Sequence, residues 1–190
     1  MLKDLILRNR SYRRFHQSET ISEAQLREWV DLARCSASAR NAQSLKYILS
    51  IDTELNALIF DQLAWAGYLT LWKGPVEGER PSAYIVMLHD TLVAGNYLCD
   101  DGIAAQSILL GATEAGFGGC IIHSVNRDKL KQILNLDEQF EIIQVLALGK
   151  PKETVVIDEM KDDNCKYWRD ENQVHHVPKR SLDEIIIQRK

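Results

Sequence analysis

Signatures for metal centres, disulfide frameworks and phosphate-binding loops are all missing from this sequence of 190 residues. Its four cysteines, Cys35, Cys99, Cys120 and Cys165, lie far apart and form no CxxC pair. Zinc sites and disulfide scaffolds need closer, paired spacing. Reduced thiols are therefore expected, each packed as a small buried apolar side chain. The five histidines, His16, His89, His123, His175 and His176, show no HExxH or other metal-ligand spacing, so no metal is expected. Neither GxxxxGKS nor GxxxxGKT occurs, and GxSxG is absent as well. Gly116, Gly118 and Gly119 do not make GxGxxG, and they follow a helical pattern instead of opening one. Net positive charge is lacking too: 23 Lys and Arg against 27 Asp and Glu give −4. That balance argues against a non-specific grip on nucleic acid. No apolar run approaches the roughly 20 residues of a membrane span. The opening MLKDLILRNRSYRRF holds no apolar core of about 7–15 residues, so no signal peptide is expected. A cytoplasmic protein without nucleic-acid or membrane partners follows from these absences.

What is present describes a globular chain. A hydrophobic share of 45% and a charged share of 26% suit a packed core and argue against disorder. The length suits one domain, 1–190, carrying a C-terminal arm from about 152. Residues 2–9 read as a short helix. Ser22 and Gln25 fit a capping box, followed by a helix whose Leu26, Trp29, Val30 and Ala33 form one buried stripe. Lys46 to Ile51 reads as a strand and Glu54 to Leu71 as a helix. Glycines and prolines break structure between Lys73 and Pro81. Ala83 to Leu88 reads as a buried strand. Asp101 to Ala115 is a central helix, with Ala104, Ala105, Ile108, Leu109 and Ala112 suited to packing on several faces. Cys120 to Ile122 and Ile142 to Leu148 are further buried strands, the second stopped by Gly149-Lys150-Pro151. Asn126 is placed to cap a helix around Leu130. An α+β architecture is expected, with regular βαβ winding as the competitor. The arm is polar over 158–176, with His175 and His176 as a surface pair, and apolar again from Ser181 to Ile187. A polar arm with an apolar end needs a surface to land on.

Chemistry concentrates in three places. Arg10, Arg13 and Arg14 surround Ser11, and guanidinium forks with a hydroxyl suit a phosphate. Lys179-Arg180 supplies a second basic pair far along the chain. Between a helix and a strand, Ser36 to Gln43 offers hydroxyl, amide and guanidinium groups, either as a polar turn or as partners for a heterocycle edge. The glycines at 116–119 end a helix or let main chain approach a planar ring.

Taken in order, these pieces resemble the nitroreductase family over nearly the whole chain. Arg10-Ser11-Tyr12-Arg13-Arg14-Phe15 is similar to its R-S-x-R-x-F opening, and Ser38 to Gln43 to its S-x-x-N-x-Q element. Gly116 to Ile122 is similar to its G-x-G-x-C-W-I stretch, and Ala147 to Pro151 to its A-L-G-x-P strand end. Pro178 to Glu184 looks like its basic C-terminal signature. Ser44 and Leu45 depart from the family's Pro-Trp, and Ile121, His123 and Ser124 from its Trp and following glycines.

The resemblance implies a three-layer α+β fold with a central, mostly antiparallel sheet flanked by helices. It implies a homodimer with FMN at the subunit boundary. Arg10, Ser11, Arg13, Lys179 and Arg180 would hold the phosphate and ribityl chain, with Arg14 pointing to solvent. Ser38, Asn41 and Gln43 would approach from the partner subunit, and backbone at Ile122, His123 and Ser124 would face the ring. NADH or NADPH would reduce the flavin, which would reduce a small acceptor such as a nitro compound or quinone. No side chain need then be an acid–base catalyst. The alternative is a flavin store or sensor with little turnover, or a narrower flavin enzyme such as a reductive dehalogenase.

Overall fold

The computed structural model of the chain describes residues 1–187. Helix α1 (Leu2–Arg8) leads through the basic run into β1 (Phe15–His16). The expected capping box forms: Ser22 Oγ accepts from the Gln25 amide and opens α2 (Glu23–Arg34), which buries Leu26, Trp29 and Ala33. A single 3-10 turn, Ala39–Asn41, lies in the following loop before β2 (Leu45–Ser50). Asp52 caps α3 (Thr53–Phe60). This helix is shorter than the expected one to Leu71. Backbone bonds from Ala64 to Ser124 O (2.9 Å) and from Asn126 to Gln62 O (2.9 Å) draw residues 62–64 away from a helical path. Ala66, at φ 42°, then takes a left-handed conformation.

β3 (Ala83–Asp90) is buried at every position. The long central helix α4 (Asp100–Glu114) buries Ala104, Ala105, Ile108, Leu109 and Ala112. It ends in a Schellman motif: the Phe117 amide reaches Ala112 O (2.8 Å) and the Gly116 amide Thr113 O (3.1 Å). Gly116, at φ +77°, takes the left-handed position that glycine adopts without strain. β4 (Gly118–Ile122) follows, then α5 (Arg127–Ile133), capped by Asn126. β5 (Phe140–Pro151) runs straight through Gly149-Lys150-Pro151 instead of stopping there. The extension exists because β1 pairs with it, Phe15 opposite Pro151 and His16 opposite Lys150. Gly149 lies under the Phe15 ring, where a Cβ would come within 2.8 Å.

The main sheet has the order β1-β5-β3-β2, with β4 also on β5, and all its pairings are antiparallel. Regular βαβ winding is thereby excluded. Helices cover both faces. One core cluster joins α2 and α4 to the sheet through Trp29, Ile108 and Leu146; the other joins Ile59, Trp65 and Leu130 to Val86 and Val145. Helices on both faces of an antiparallel sheet make an α+β architecture three layers deep. The arm carries β6 (Val155–Glu159), β7 (Trp168–Arg169) and β8 (His175–Lys179), a small separate sheet in which β6 and β8 are parallel. It ends in α6 (Leu182–Ile185), capped by Ser181. Two expectations need correction. His175 is fully buried, because its strand turns that side chain inward, and of the cysteines only Cys120 is buried.

Gly119 is where close packing is least forgiving. A Cβ there would sit 2.6 Å from the Ala147 carbonyl oxygen and 2.8 Å from Leu109 and Leu148. Gly119→Ala should cost about 1–3 kcal/mol through overpacking against rigid main chain. Urea unfolding measures this, and an unchanged midpoint would contradict the packing.

Candidate functional site

α1 ends at Arg8, and the chain then passes beside β4: Ser11 bridges Gly119, and the Tyr12 amide donates to Gly119 O (3.0 Å). Arg10 is braced against the end of α1, donating from Nε to Asn9 O (2.7 Å) and from a terminal nitrogen to Ile6 O (2.9 Å). From β8 comes Lys179. Arg10, Ser11, Arg13 and Lys179 line one cavity of about 330 Å³, and among the described residues no carboxylate lines it. Three cations and a hydroxyl facing one space make a ready anion site.

Arg13 is held from behind. The buried Glu153 carboxylate accepts from the amides of Arg13 and Arg14 and pairs with Arg169 at 2.8 Å. With its backbone pinned, Arg13 lays its guanidinium over the Tyr167 ring, 4.8 Å from the centroid. A terminal nitrogen sits 3.2 Å from His175 Nε2. Arginine can only donate, so Nε2 accepts and the ring proton belongs on Nδ1. Burial, reinforced by Arg13 and Arg169, pushes the His175 imidazole down to about 4. Neutral His175 therefore adds no charge beside Arg13.

Arg14 does not point to solvent. It forks onto Glu79, with Nε at 2.5 Å and a terminal nitrogen at 2.7 Å, and Lys152 joins at 3.0 Å. The Arg14 hydrogen bonds foremost, then Lys152, hold the Glu79 carboxyl down at about 2. Arg180 is likewise engaged elsewhere, at 2.7 Å from Asp163 and 3.2 Å from Glu184, outside the lining of the Arg13 cavity.

A second cavity of about 160 Å³ adjoins the first, sharing Arg13, Ile121 and Tyr167. Ile122, His123 and Ser124 line it, facing Trp65 to Gly67. Two expected elements thus meet at Arg13. The third does not. Ser38 and Gln43 line a different cavity of about 200 Å³ that shares no residue with the first. There the Ser38 hydroxyl donates to the buried Asp100 (2.7 Å) and accepts from the Gln43 amide (3.1 Å). Burial, then Asp100, pushes the neighbouring Tyr47 phenol up to about 12. Arg40, Asn41 and Gln43 all take left-handed backbone, φ 54–55°, a strain that β-carbon-bearing residues carry where structure demands it.

Glu153, Tyr167, Arg169 and His175 escaped sequence reasoning. The available signal for an inward His175 was Val177, two positions on and so on the same strand face; a lone Glu153 after Pro151 offered none.

His175 makes stability depend on pH. Its pKa lies at about 4 against an ordinary 6.5. As pH falls from 6.5 toward 4, the unfolded chain takes a proton that the folded chain refuses, so stability is full above 6.5 and declines through that window. Glu79 acts in a lower window, from 4.5 down to about 2. Chemical denaturation across the upper window should show a decline in the wild type that His175→Gln flattens. An equal decline in both would contradict the assignment.

Residues 98–150 match the Nitroreductase family. MhqN of Bacillus subtilis (strain 168), by name a provisional NAD(P)H nitroreductase, is 24% identical over 180 residues, covering 78% of this chain and 87% of that protein. The solved structure of a nitroreductase family protein from Streptococcus pneumoniae TIGR4 superposes with a TM-score of 0.70 at 18% identity, covering 100% of both chains. The NADPH:FMN oxidoreductase of Vibrio harveyi, solved with NAD+, gives 0.63 at 21% identity, covering 80% of this chain and 69% of the other. The matched segment spans α4, β4, α5 and most of β5, the centre of the fold and one wall of the Arg13 cavity, and the superposed Streptococcus pneumoniae structure shares the fold of the whole chain.

Proposed function

We propose that the protein is an NAD(P)H-dependent flavin oxidoreductase: a single domain with a C-terminal arm, paired as a homodimer, with FMN at each subunit boundary. The observation that carries this reading is the Arg13 cavity, lined among the described residues by three cationic side chains and the Ser11 hydroxyl, with no carboxylate. A doubly charged phosphate fits that donor set. Bound flavin would supply the redox chemistry, taking a hydride from the nicotinamide and passing it to an acceptor such as a nitro compound or quinone.

The chain's own residues would bind and orient. Arg10, Ser11, Arg13 and Lys179 take the phosphate and ribityl end; Arg180, tied to Asp163 and Glu184, is left out. Ile122, His123 and Ser124 line the adjoining cavity; the His123 and Ser124 carbonyls already accept from Val125, Arg127 and Ala64, so their amides would be the groups that meet a ring edge. Ser38, Asn41 and Gln43 would complete the site from the partner subunit, which fits the separate cavity that Ser38 and Gln43 line within one chain. Leu182, Ile185, Ile186 and Ile187 are all at least half exposed. Covering such side chains is worth roughly 1.5–3 kcal/mol each, so the arm's end is a natural subunit contact. NADH or NADPH bleaching the bound flavin would establish turnover, and inertness to both would refute it.

Arg13→Ala should weaken FMN binding roughly tenfold to a hundredfold, the worth of a charge-assisted pair. Riboflavin, lacking the phosphate, should bind weakly and equally to both proteins. Arg14→Ala should lower stability through Glu79 and spare the FMN-to-riboflavin ratio. Flavin fluorescence gives the four dissociation constants for Arg13→Ala and wild type; equal losses for the two ligands would contradict the role.

A further inference from the structure

The loop from Ser38 to Gln43 holds a shape that its residues would not keep unaided. Arg40, Asn41 and Gln43 stand at φ 54–55°, a left-handed backbone that residues other than glycine adopt only where surroundings impose it. The loop's own backbone bonds are local: the Asn41 amide donates to Ser38 O at 2.9 Å and the Ala42 amide to Ala39 O at 3.0 Å. Its attachment to the body of the fold comes from Asp100, the first residue of α4. Asp100 Oδ2 accepts from the Ser38 hydroxyl at 2.7 Å, and Oδ1 from the Ala39 amide at 2.8 Å. Having given its proton to Asp100, Ser38 Oγ accepts from the Gln43 amide at 3.1 Å. One carboxylate therefore fixes both ends of the turn, Ala39 directly and Gln43 through Ser38.

The hold is strong because Asp100 has little alternative. It is 4% exposed, and a buried carboxylate is costly unless its oxygens are hydrogen-bonded. Arg34 lines the same cavity but is taken up by Asp31 at 2.5 Å. The start of the 15-residue α4 favours a negative charge at that place, so the acceptor sits on a rigid element. Resting on the reading of a flavin site shared between two chains, we infer that Asp100 is a positioning residue of that site: through Ser38 and Ala39 it sets the loop that carries Asn41 and Gln43 across the subunit boundary.

Asp100→Asn keeps the shape but offers one acceptor oxygen to two loop donors. In the flavin-free protein, hydrogen exchange at the Ala39 and Gln43 amides should quicken roughly tenfold, while the Val145 amide in β5 keeps its rate. FMN should bind roughly tenfold more weakly. Ser38→Ala should also weaken FMN, and should add little in the Asp100→Asn background, because both cut one path. A general folding defect would weaken both boundaries of any dimer, whereas a loop defect travels with the loop. Paired with an Arg13→Ala subunit, the Asp100→Asn subunit should recover tight FMN binding at one site of two. Paired with a subunit carrying Asn41→Ala and Gln43→Ala, it should recover none. Should Asp100→Asn fail to fold, Asp100→Ser, a smaller residue suited to a helix start, takes its place in each measurement. Unchanged exchange, additive losses with Ser38→Ala, or weak binding at both sites of the Arg13→Ala pairing would each overturn the inference. Quickened exchange with undiminished FMN binding, in Asp100→Asn and in the Asn41→Ala, Gln43→Ala protein alike, would overturn it by removing the two-chain reading beneath it.

Discussion

Glu153 is the contact on which the site depends. A carboxylate without solvent is costly unless it is paired and hydrogen-bonded. This one has a guanidinium, Arg169, and the amides of Arg13 and Arg14. Those partners come from the arm and from the basic run near the N-terminus, so one buried charge ties the chain's two ends together. Losing one member of such a pair costs about 3–5 kcal/mol. Arg169 is further confined over the Trp72 ring, 4.3 Å from its centroid. Arm, basic run and the segment after α3 are thus joined by a few charges.

Adjacent arginines also part company at this clamp. One Glu153 oxygen accepts from both amides, pinning the backbone at 13 and 14 while the two side chains leave it in different directions. Arg14 reaches Glu79 and Lys152, where its charge is matched. Arg13 reaches the cavity, where Tyr167 and neutral His175 touch it without cancelling its charge. A matched ion pair and a guanidinium facing an open cavity arise from neighbouring residues of the same type.

Local rules carried far along the chain. The Ser22 capping box, the Asn126 cap, the buried stripe of α2 and the small residues of α4 were all readable, because short-range geometry or helical period decides each. Long-range pairing decided the failures. β5 continues through Gly149 and Pro151 because β1 lies beside it. Residues after Phe60 leave the helix because Ser124 and Val125 take their hydrogen bonds. In the site, residue types were legible at Arg10, Ser11 and Arg13, whereas Arg14's partner lies 65 residues away and Arg13's carboxylate anchor 140. Arg180 shows the same limit, its basic character visible and its acidic partners not.

The central claim is that one flavin site is built from two chains: the Arg13 cavity of one subunit and the Ser38–Gln43 loop of the other. Heterodimers of an Arg13→Ala subunit and a subunit carrying both Asn41→Ala and Gln43→Ala test it directly. In such a pair one boundary carries both defects and the other neither. Each homodimer should bind FMN weakly, and the heterodimer should recover tight binding at one site of its two. Weak binding at both sites of the heterodimer would mean that each site lies within a single chain, and would contradict the account.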